Sequence, residues 1–371
     1  MIKNLDAVIG YLSASLLPSP LHKELTFPII SILLIRPGGI GDAVLLSPLI
    51  QSIKRKYPAI HITVLAERRN FGIFSLASGV DRILCYDQPG DFITALRCNY
   101  DAVIDTEQSH RLSAVLSRFI SAQFKIGFDT NERRRMFTHT IPYSHDDYEY
   151  TSFTHLLKPL GIEDESPALE VPFLSVSVAD DIKAAGLLES HLIEPFITIF
   201  PGASIPERHW GAERFRMVAE LLSVFGIRTV VVGSSDDHQQ GAVIAGGGLA
   251  QNLAGLTSLS ETAAVIQRSA LLLSADSGVL HIAVGLDVPT VSLFGPGRTK
   301  KWAPQGDRHV VINKSLPCSP CTTFGTTPPC PIKAQCMRDV TVDEVVNAVT
   351  MLLTSIGAIS SHCCKRDWIE V

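Results

Sequence analysis

A strand, turn, helix and strand follow one another in SALLLSADSGVLHIAVGLDVPTVSLFGP, residues 269–296. The apolar runs predict a buried strand at Ala270–Leu273, a helix at Val279–Leu286 and a second buried strand at Thr290–Phe294. The polar turn before the helix contains Asp276–Gly278. A helix start presents unpaired N–H groups and the positive end of the helix dipole, which favour a phosphate. The same turn could instead only cap the helix.

The chain is long enough to form two hydrophobic cores. It has 371 residues, 46% of them hydrophobic and 19% charged, which is typical of a well-packed protein with two domains. The net charge of −5 argues against general nucleic-acid binding. Its apolar runs are shorter than the roughly 18 residues of a membrane span, and no secretion signal is recognisable. We therefore expect a cytoplasmic protein whose eight cysteines are mostly free thiols.

Residues 1–28 are predicted to be an extension that precedes the first domain. Apolar residues recur there at helical spacing until Pro18, namely Leu5, Val8, Ile9, Leu12, Leu16 and Leu17. Such a helix could pack on the body of the protein or lie on a membrane surface. Because Lys3 is the only cation on its polar face, packing is the favoured interpretation.

The first domain is predicted to begin with a βαβ unit built around a glycine turn. A strand at Ile29–Ile35 leads into Arg36-Pro-Gly-Gly-Ile-Gly-Asp42, a helix from about Ala43 to Tyr57 and a strand at Ile60–Leu65. Later strands are predicted at Arg82–Tyr86, Ala102–Asp105 and Phe124–Gly127. Such alternation predicts a doubly wound α/β domain.

Dinucleotide binding is one interpretation of this glycine turn, and Asp42 has two others. Dinucleotide binding would place a pyrophosphate there and use Glu67 on the ribose. However, Gly38, Gly39 and Gly41 do not follow the G-x-G-x-x-G spacing, and Asp42 would repel a pyrophosphate. Asp42 could instead stabilise the helix dipole, or act as a catalytic carboxylate at the carboxyl end of the sheet.

A basic run, Arg133-Arg134-Arg135, lies in the polar segment 125–155. Such a run is usually solvated surface. Guanidinium groups also match phosphate and carboxylate geometry, so the run could hold an anionic acceptor.

The second half of the chain repeats the βαβ pattern from Pro195–Phe200 onward. Its polar turns are expected at the carboxyl edge of one parallel sheet, where α/β proteins bind ligands. These turns are Gly202–Ser204, Gly233–Asp237, Gly255–Thr257 and Asp276–Gly278. Four such turns on one edge predict a ligand site.

A cysteine cluster follows in a Pro/Thr-rich loop, with the spacing Cys318-x2-Cys321-x8-Cys330-x5-Cys336. The first pair has zinc-like spacing but the second pair is looser, so zinc, free thiols and a local disulfide all remain open. The chain has no D-x-D motif that could bind a divalent metal on phosphates. We therefore expect no metal at the ligand site.

Taken together, the motifs resemble those of glycosyltransferase family 9, the ADP-heptose:lipopolysaccharide heptosyltransferases. The resemblance covers about residues 29–345, in order. The matching pieces are Gly38–Asp42 with Pro48, Pro201–Ser204 with Arg208-His-Trp210, Asp276–His281, Pro289-Thr290, Phe294–Pro296 and the cysteine loop ending in Cys336-Met337.

This resemblance implies a GT-B architecture, in which two Rossmann-like doubly wound domains face each other across a cleft. The N-terminal extension would occupy residues 1–28 and an acceptor domain residues 29–178. A donor domain would span 179–345, followed by a C-terminal helix and tail at 346–371.

The resemblance also implies roles for individual residues. Asp42 would be the general base that takes the proton from the acceptor hydroxyl. The acceptor side would include Gly39, Gly41, Arg133, Arg134 and Arg135. The donor side would include Ser204, Arg208, Asp236, Thr257, Asp276, Ser277, Gly278 and His281. Among these, Arg208 would meet the phosphates and Asp276 the hydroxyls of the transferred sugar. Ser277 and Gly278 would meet the diphosphate, and Asp236 and Thr257 the ribose and base.

The implied reaction is a single displacement with inversion and no cofactor, from ADP-heptose to the lipopolysaccharide inner core at the inner face of the membrane. Such transfer needs a base near the nucleophile and stabilisation of the departing diphosphate. Arg208 and helix N-termini could provide that stabilisation without a metal. The alternatives are a GT-B-type nucleotide-sugar epimerase or hydrolase, an NAD-dependent oxidoreductase, and a zinc-stabilised scaffold.

Overall fold

The structure, a computed structural model, describes residues 6–22, 24, 28–163, 169–188 and 195–359. The chain divides into two compact units, Met1–Phe173 and Leu174–Val371. The predicted boundary after residue 178 falls a few residues later than this division, and the bounds of the four predicted segments stay predictions. The pair Cys363-Cys364 and most of the acidic junction at 163–167 lie outside the described residues.

The first unit contains a six-stranded parallel sheet with the strand order β3-β2-β1-β4-β5-β6. Its strands are β1 (Ser31–Arg36), β2 (His61–Ala66), β3 (Arg82–Cys85), β4 (Asn99–Asp105), β5 (Ser121–Phe128) and β6 (His139–Ile141). The inner strands are almost continuously apolar and buried. Strands covered by helices on both faces of a parallel sheet require this composition.

The helices of the first unit are α1 (Tyr11–Leu16), α2 (Ile40–Lys56), α3 (Phe71–Leu76), α4 (Pro89–Arg97), α5 (Arg111–Phe119) and α6 (Glu149–His155), with helical turns at Asp6–Gly10, Glu132–Met136 and Lys158–Leu160. Helix α2 begins before the predicted Ala43. The chain can turn into the helix this early because Gly38 adopts φ +103°, a conformation that disfavours other residues. Asp42 therefore lies within the first turn of α2.

The second unit contains another six-stranded parallel sheet, in the order β12-β11-β10-β7-β8-β9. Its strands are β7 (Phe196–Phe200), β8 (Arg228–Val231), β9 (Ala250–Asn252), β10 (Leu271–Ala275), β11 (Thr290–Phe294) and β12 (His309–Asn313). Its helices are α7 (Val178–Leu187), α8 (Ala212–Val224), α9 (His238–Ile244), α10 (Leu259–Arg268), α11 (Gly278–Gly285), α12 (Thr299–Trp302), α13 (Gln335–Arg338) and α14 (Val342–Ser355).

The two sheets share one topology. The strand order reverses between β1 and β4 in the first sheet and between β7 and β10 in the second. Doubly wound proteins bind ligands outside the carboxyl ends of the strands at such switch points. The predicted doubly wound α/β fold is confirmed in both units.

The sequence-based prediction missed the strands β6, β9 and β12. Strands β6 and β9 have only three residues each, and every residue of β12 is only partly buried. All three lie at sheet edges, where a strand needs less apolar sequence than in the interior. The stretch at 269–296 is followed by α12 and β12, which continue the sheet beyond β11.

The described part of the N-terminal extension packs on the first unit, as expected, but Val8, Ile9, Leu12 and Leu16 of the predicted apolar stripe are exposed. Ala14 is fully buried, and Leu17 joins the cluster of Ala114, Met136 and Phe137. Across the described helices, none combines the length and apolar composition needed to cross a membrane.

Candidate active site

The turn after β1 is held in place by side chains from neighbouring strands. The Asn70 side-chain amide donates hydrogen bonds to the Arg36 and Gly38 carbonyl oxygens, both at 3.2 Å. The Gly38 N–H donates to Glu67 Oε2 at 3.2 Å, and Glu67 also accepts hydrogen bonds from Arg69 and Tyr86. Glu67, considered above as a ribose ligand, thus fixes the glycine turn.

Asp42 is a largely buried carboxylate with two polar neighbours. Its Oδ1 accepts a hydrogen bond from Gln108 Nε2 at 3.3 Å, and its Oδ2 lies 3.7 Å from Arg36 Nη2. Burial raises the pKa of Asp42 above the usual carboxyl range, and nearby Glu107 adds to this rise. Arg36 and Gln108 oppose it. A carboxylate with a raised pKa, still in hydrogen-bonding contact, has the properties of a general base.

The partners of Asp42 are themselves fixed by buried groups. Arg36 is almost fully buried and donates to Glu107 Oε2 at 3.1 Å and to the Thr106 carbonyl at 2.8 Å. Gln108 Nε2 also donates to Glu149 Oε1 at 2.5 Å, and Glu149 Oε2 accepts from the Tyr143 hydroxyl at 3.0 Å. The loops after β1 and β4 therefore meet at the switch point of the first sheet.

The predicted arginine run does not form one exposed cluster. Arg133 and Asp105 are both 0% exposed and form an ion pair with Nη2 and Oδ2 at 2.8 Å. Arg134 is exposed near Asp129, and Arg135 Nη1 donates to the Ser15 carbonyl at 2.6 Å. The assignment of Arg133 to the acceptor side is therefore corrected: its guanidinium neutralises a buried carboxylate and has no surface to offer an acceptor.

In the second unit, Arg208 and Asp276 come together from different strands. Arg208 follows β7 and Asp276 follows β10, and Arg208 Nη1 lies 3.3 Å from Asp276 Oδ2. Considering the described residues only, three buried polar atoms here have no hydrogen-bond partner: Arg208 Nε, Asp276 Oδ2 and His281 Nδ1. Unsatisfied buried polar atoms are costly, so such a group marks a place where a bound ligand or water would complete the hydrogen bonds.

The loops at this edge of the second sheet are in direct contact. A Cβ atom on Gly297, after β11, would lie 2.0 Å from Asp276 Oδ2. A Cβ atom on Gly202, after β7, would lie 2.3 Å from Asp237 Oδ1. A Cβ atom on Gly255, after β9, would lie 3.0 Å from Ser235 Cα. The predicted gathering of the four polar turns at one edge is therefore observed, with the loop after β11 added.

The start of α11 has the geometry expected of a helix N-terminus. Ser277 is the N-cap; its hydroxyl accepts a hydrogen bond from the Leu280 N–H at 3.4 Å and lies 2.8 Å from Ser274 Oγ. Gly278 is the first helical residue. His281 is buried beside the Trp302 ring, and burial, with Arg208 nearby, lowers its pKa to about 4. His281 is therefore neutral at pH 7.

The remaining predicted residues sit on separate loops. Ser204 is exposed after β7 and Asp236 is exposed after β8. Thr257 follows β9 and its hydroxyl is 2.8 Å from the Thr262 hydroxyl. Gly39 is the N-cap of α2 and Gly41 lies in the first turn of that helix.

Sequence reasoning missed Arg36, Glu107, Gln108 and Glu149. Glu107 and Gln108 directly follow the predicted strand Ala102–Asp105, so their place after a strand at the carboxyl edge was a usable signal. Glu149 gave no such signal, because α6 reaches Gln108 only through tertiary packing.

The cysteine loop was a second candidate site. The described cysteines, at positions 85, 98, 318, 321, 330 and 336, are free thiols. In the part of the chain that the structure describes, no group of three or more His, Cys, Asp or Glu side chains is arranged to hold a metal ion.

Two doubly wound sheets, each with polar loops meeting at its switch point, define a two-unit α/β protein of the ligand-binding kind. A family model described as glycosyltransferase family 9 (heptosyltransferase) matches residues 91–330. Lipooligosaccharide heptosyltransferase 2 of Haemophilus influenzae is 26% identical, over 76% of this chain and 88% of the relative. Lipopolysaccharide heptosyltransferase 3 of Escherichia coli is 26% identical, over 73% of this chain and 85% of the relative.

A solved structure, E. coli ADP-heptose LPS heptosyltransferase II, has a TM-score of 0.73 and 22% identity, and covers 89% of this chain and 100% of that chain. Because the family model spans well over half of the sequence, the chain belongs to glycosyltransferase family 9. It is a glycosyltransferase, and the predicted GT-B fold class is confirmed.

Proposed function

We propose that this chain transfers a heptose from ADP-heptose to a lipopolysaccharide inner-core acceptor, with inversion and with Asp42 as the general base. The family match and the names of the relatives support the sugar and the acceptor class. The name of the similar E. coli enzyme supports ADP-heptose as the donor.

The observation that carries the proposal is the group of unsatisfied polar atoms around Asp276. Within the described residues, Arg208 Nε, Asp276 Oδ2 and His281 Nδ1 are buried and lack hydrogen bonds. A donor with hydroxyl groups and a diphosphate offers partners for each of them. Hydroxyls would donate to Asp276, and phosphate oxygens would accept from Arg208 and from the N–H groups at Ser277 and Gly278.

The other predicted donor residues fit the same model. Asp236 and Thr257 would contact the ribose and base, and Ser204 the phosphates. Each lies on a loop at the carboxyl edge that carries Asp276. Neutral His281 would serve as a hydrogen-bonding group beside the donor rather than as a cation.

Asp42 would act on the acceptor. As the acceptor oxygen forms its bond to the anomeric carbon, its proton passes to the Asp42 carboxylate. The bond from that carbon to the diphosphate breaks, and its electron pair leaves with ADP. Attack from the face opposite the leaving group inverts the configuration. The pKa of Asp42, raised by burial, supports this proton transfer.

Asp42→Asn tests the role of the base. Removing the proton acceptor should lower kcat by about 10²–10⁴-fold, whereas the affinity for ADP, measured by calorimetry, should change less than twofold. The anomeric configuration of the product, read by NMR, should be opposite to that of the donor. Turnover close to wild type in Asp42→Asn would overturn the mechanism.

A donor screen tests the substrate. ADP-, UDP-, GDP- and CMP-sugars are compared by thermal shift, and ADP-heptose should stabilise the protein most. A clear preference for UDP-sugars would reject heptose transfer from ADP-heptose. Rapid release of free sugar or an epimer without acceptor would favour a hydrolase or epimerase instead.

A further inference from the structure

The N-terminal helical segment, Asp6–Gly10 followed by α1, carries its apolar side chains on the outside. Val8 is 59%, Ile9 49%, Leu12 50% and Leu16 79% exposed. These residues recur at the spacing of one helix face. A surface helix normally turns such a face to the core and its polar face to water, so this arrangement is reversed.

The opposite face fixes that orientation. Asp6 Oδ1 accepts hydrogen bonds from the backbone N–H groups of Arg111 and Leu112, at 2.7 and 2.8 Å. A Cβ atom on Gly10 would lie 3.1 Å from Arg111 Cβ, and Ala14 is fully buried. The segment therefore cannot rotate its apolar face inward without breaking these contacts.

Arginines from other elements border the exposed apolar face. Arg135 donates to the Ser15 carbonyl, the side chain of Arg134 is 64% exposed, and the Arg111 guanidinium lies 5.7 Å from the centre of the Tyr11 ring. The acidic groups that face these arginines are Asp129, 3.7 Å from Arg134, and Glu132 and Asp6, 2.7 and 3.8 Å from Arg111. Arg111 is therefore paired with two carboxylates, whereas Arg135 donates to a backbone carbonyl and Arg134 is 64% exposed, so these two guanidinium groups are available to an anionic partner.

The size of this face favours a lipid surface over a second copy of the chain. Eleven helical residues span about 16 Å, and a helix is about 10 Å wide, so the face projects over only about 160 Å². A stable dimer buries about 800 Å² on each partner. Insertion into a lipid interface needs no such extended complementary surface.

We propose that the N-terminal helical segment docks this enzyme on an anionic phospholipid bilayer. Val8, Ile9, Leu12 and Leu16 enter the boundary between headgroups and acyl chains, while Arg134 and Arg135 meet lipid phosphates. The biological purpose rests on the proposed function, since a lipopolysaccharide acceptor lies at a membrane, but the docking itself does not depend on catalysis.

Vesicle flotation tests the docking. Wild-type protein is mixed with vesicles of phosphatidylcholine and phosphatidylglycerol (3:1), or of phosphatidylcholine alone, and should float with the anionic vesicles. Replacing Val8, Ile9, Leu12 and Leu16 together by Ser should weaken binding at least a hundredfold. The matched control replaces Val178 and Ile182, which are 76% and 66% exposed on α7, by Ser and should bind like wild type.

The charge contribution is measured separately. Arg134→Ala with Arg135→Ala should weaken binding to anionic vesicles about thirtyfold, because each juxtamembrane arginine contributes about 1 kcal/mol. Thermal unfolding of every variant should match wild type, since the changed residues lie at the surface. If a variant unfolds at a lower temperature than wild type, the single substitution Leu16→Ser still reports the effect on binding. Leu16 is the most exposed of the four apolar residues.

Two outcomes would overturn the proposal. One is wild-type protein that fails to float with anionic vesicles, or a four-serine variant that floats equally well. The other is a light-scattering result in which the wild type is a dimer and the four-serine variant is a monomer, because the face would then bind a second copy. Vesicle binding without heptose transfer would refute only the proposed function.

Discussion

Asp42 and Asp276 are both carboxylates next to an arginine, but the Asp42 side chain is 18% exposed and that of Asp276 is 6% exposed, and their surroundings differ. Asp42 accepts a hydrogen bond from Gln108, whereas Asp276 Oδ2, judged over the described residues, accepts none. Burial raises the pKa of both groups, and Arg208 opposes this rise at Asp276. Asp42 is thus oriented by a protein hydrogen bond, whereas Asp276 Oδ2 lies 3.3 Å from Arg208 Nη1 but can still accept a hydrogen bond from a ligand.

Gln108 should set the pH dependence of the reaction. Its hydrogen bond lowers the pKa of Asp42, so Gln108→Leu should raise that pKa further. A base works only when deprotonated, so activity is lost as pH falls through its pKa. The acidic limb of the kcat/KM profile should therefore move about one to two pH units upward, as expected from a charged hydrogen bond of about 1.5–3 kcal/mol.

Gln51→Leu is the matched control, because the Gln51 amide donates to the Phe173 carbonyl rather than to Asp42. It should leave the acidic limb in place. An unchanged profile in Gln108→Leu would show that Gln108 does not position the base.

Arg133 should matter for stability rather than for acceptor binding. Arg133→Met leaves Asp105 buried without its cation, which should cost about 3–5 kcal/mol in the free energy of unfolding. Arg134→Met, at an exposed site, should change it by less than about 0.5 kcal/mol. Urea denaturation measures the free energy of unfolding of both variants. Equal values for Arg133→Met and Arg134→Met would contradict the buried ion pair.

At the scale of elements, the loop after β11 limits the space around the proposed donor residues Arg208 and Asp276. Gly297→Ala would bring a methyl group into contact with Asp276 Oδ2 and displace it from Arg208. The affinity for ADP-heptose should fall at least tenfold in calorimetry, because both predicted donor contacts move. Gly186→Ala, which meets open space on α7, is the control and should bind like wild type. Equal affinities in the two variants would argue against Asp276 as a donor ligand.

The elements also show why local sequence can mislead. Pro18 and the apolar spacing correctly predicted a short N-terminal helix, and the scarcity of cations on its polar face, where Lys3 is the only one, argued against lipid contact. The arginines beside this helix come from residues 111–135, more than ninety positions away in the chain. Only tertiary packing brings those charges to the helix.

At the scale of the whole molecule, the repeated topology predicts where a ligand acts. If ADP binds only at the switch point between β7 and β10, hydrogen exchange should slow in the loops after β7, β8 and β10 and at the start of α11. Peptides covering β1 and α2 should exchange at unchanged rates with ADP alone. Protection of the Gly38–Asp42 turn by ADP would contradict the assignment of donor and acceptor sides to different units.

The sequence by itself determined the two βαβ series and the family, because apolar periodicity and glycine turns are local features, and it singled out Asp42 and Asp276 as candidate site residues. Tertiary structure alone decided that Arg133 is an internal counter-ion and that Gln108 joins Asp42 to Glu149. It also decided that Arg208 meets Asp276. In each case the partners lie far apart in the chain, and they meet because parallel strands place distant loops at one sheet edge or bury a charge that must find an opposite one.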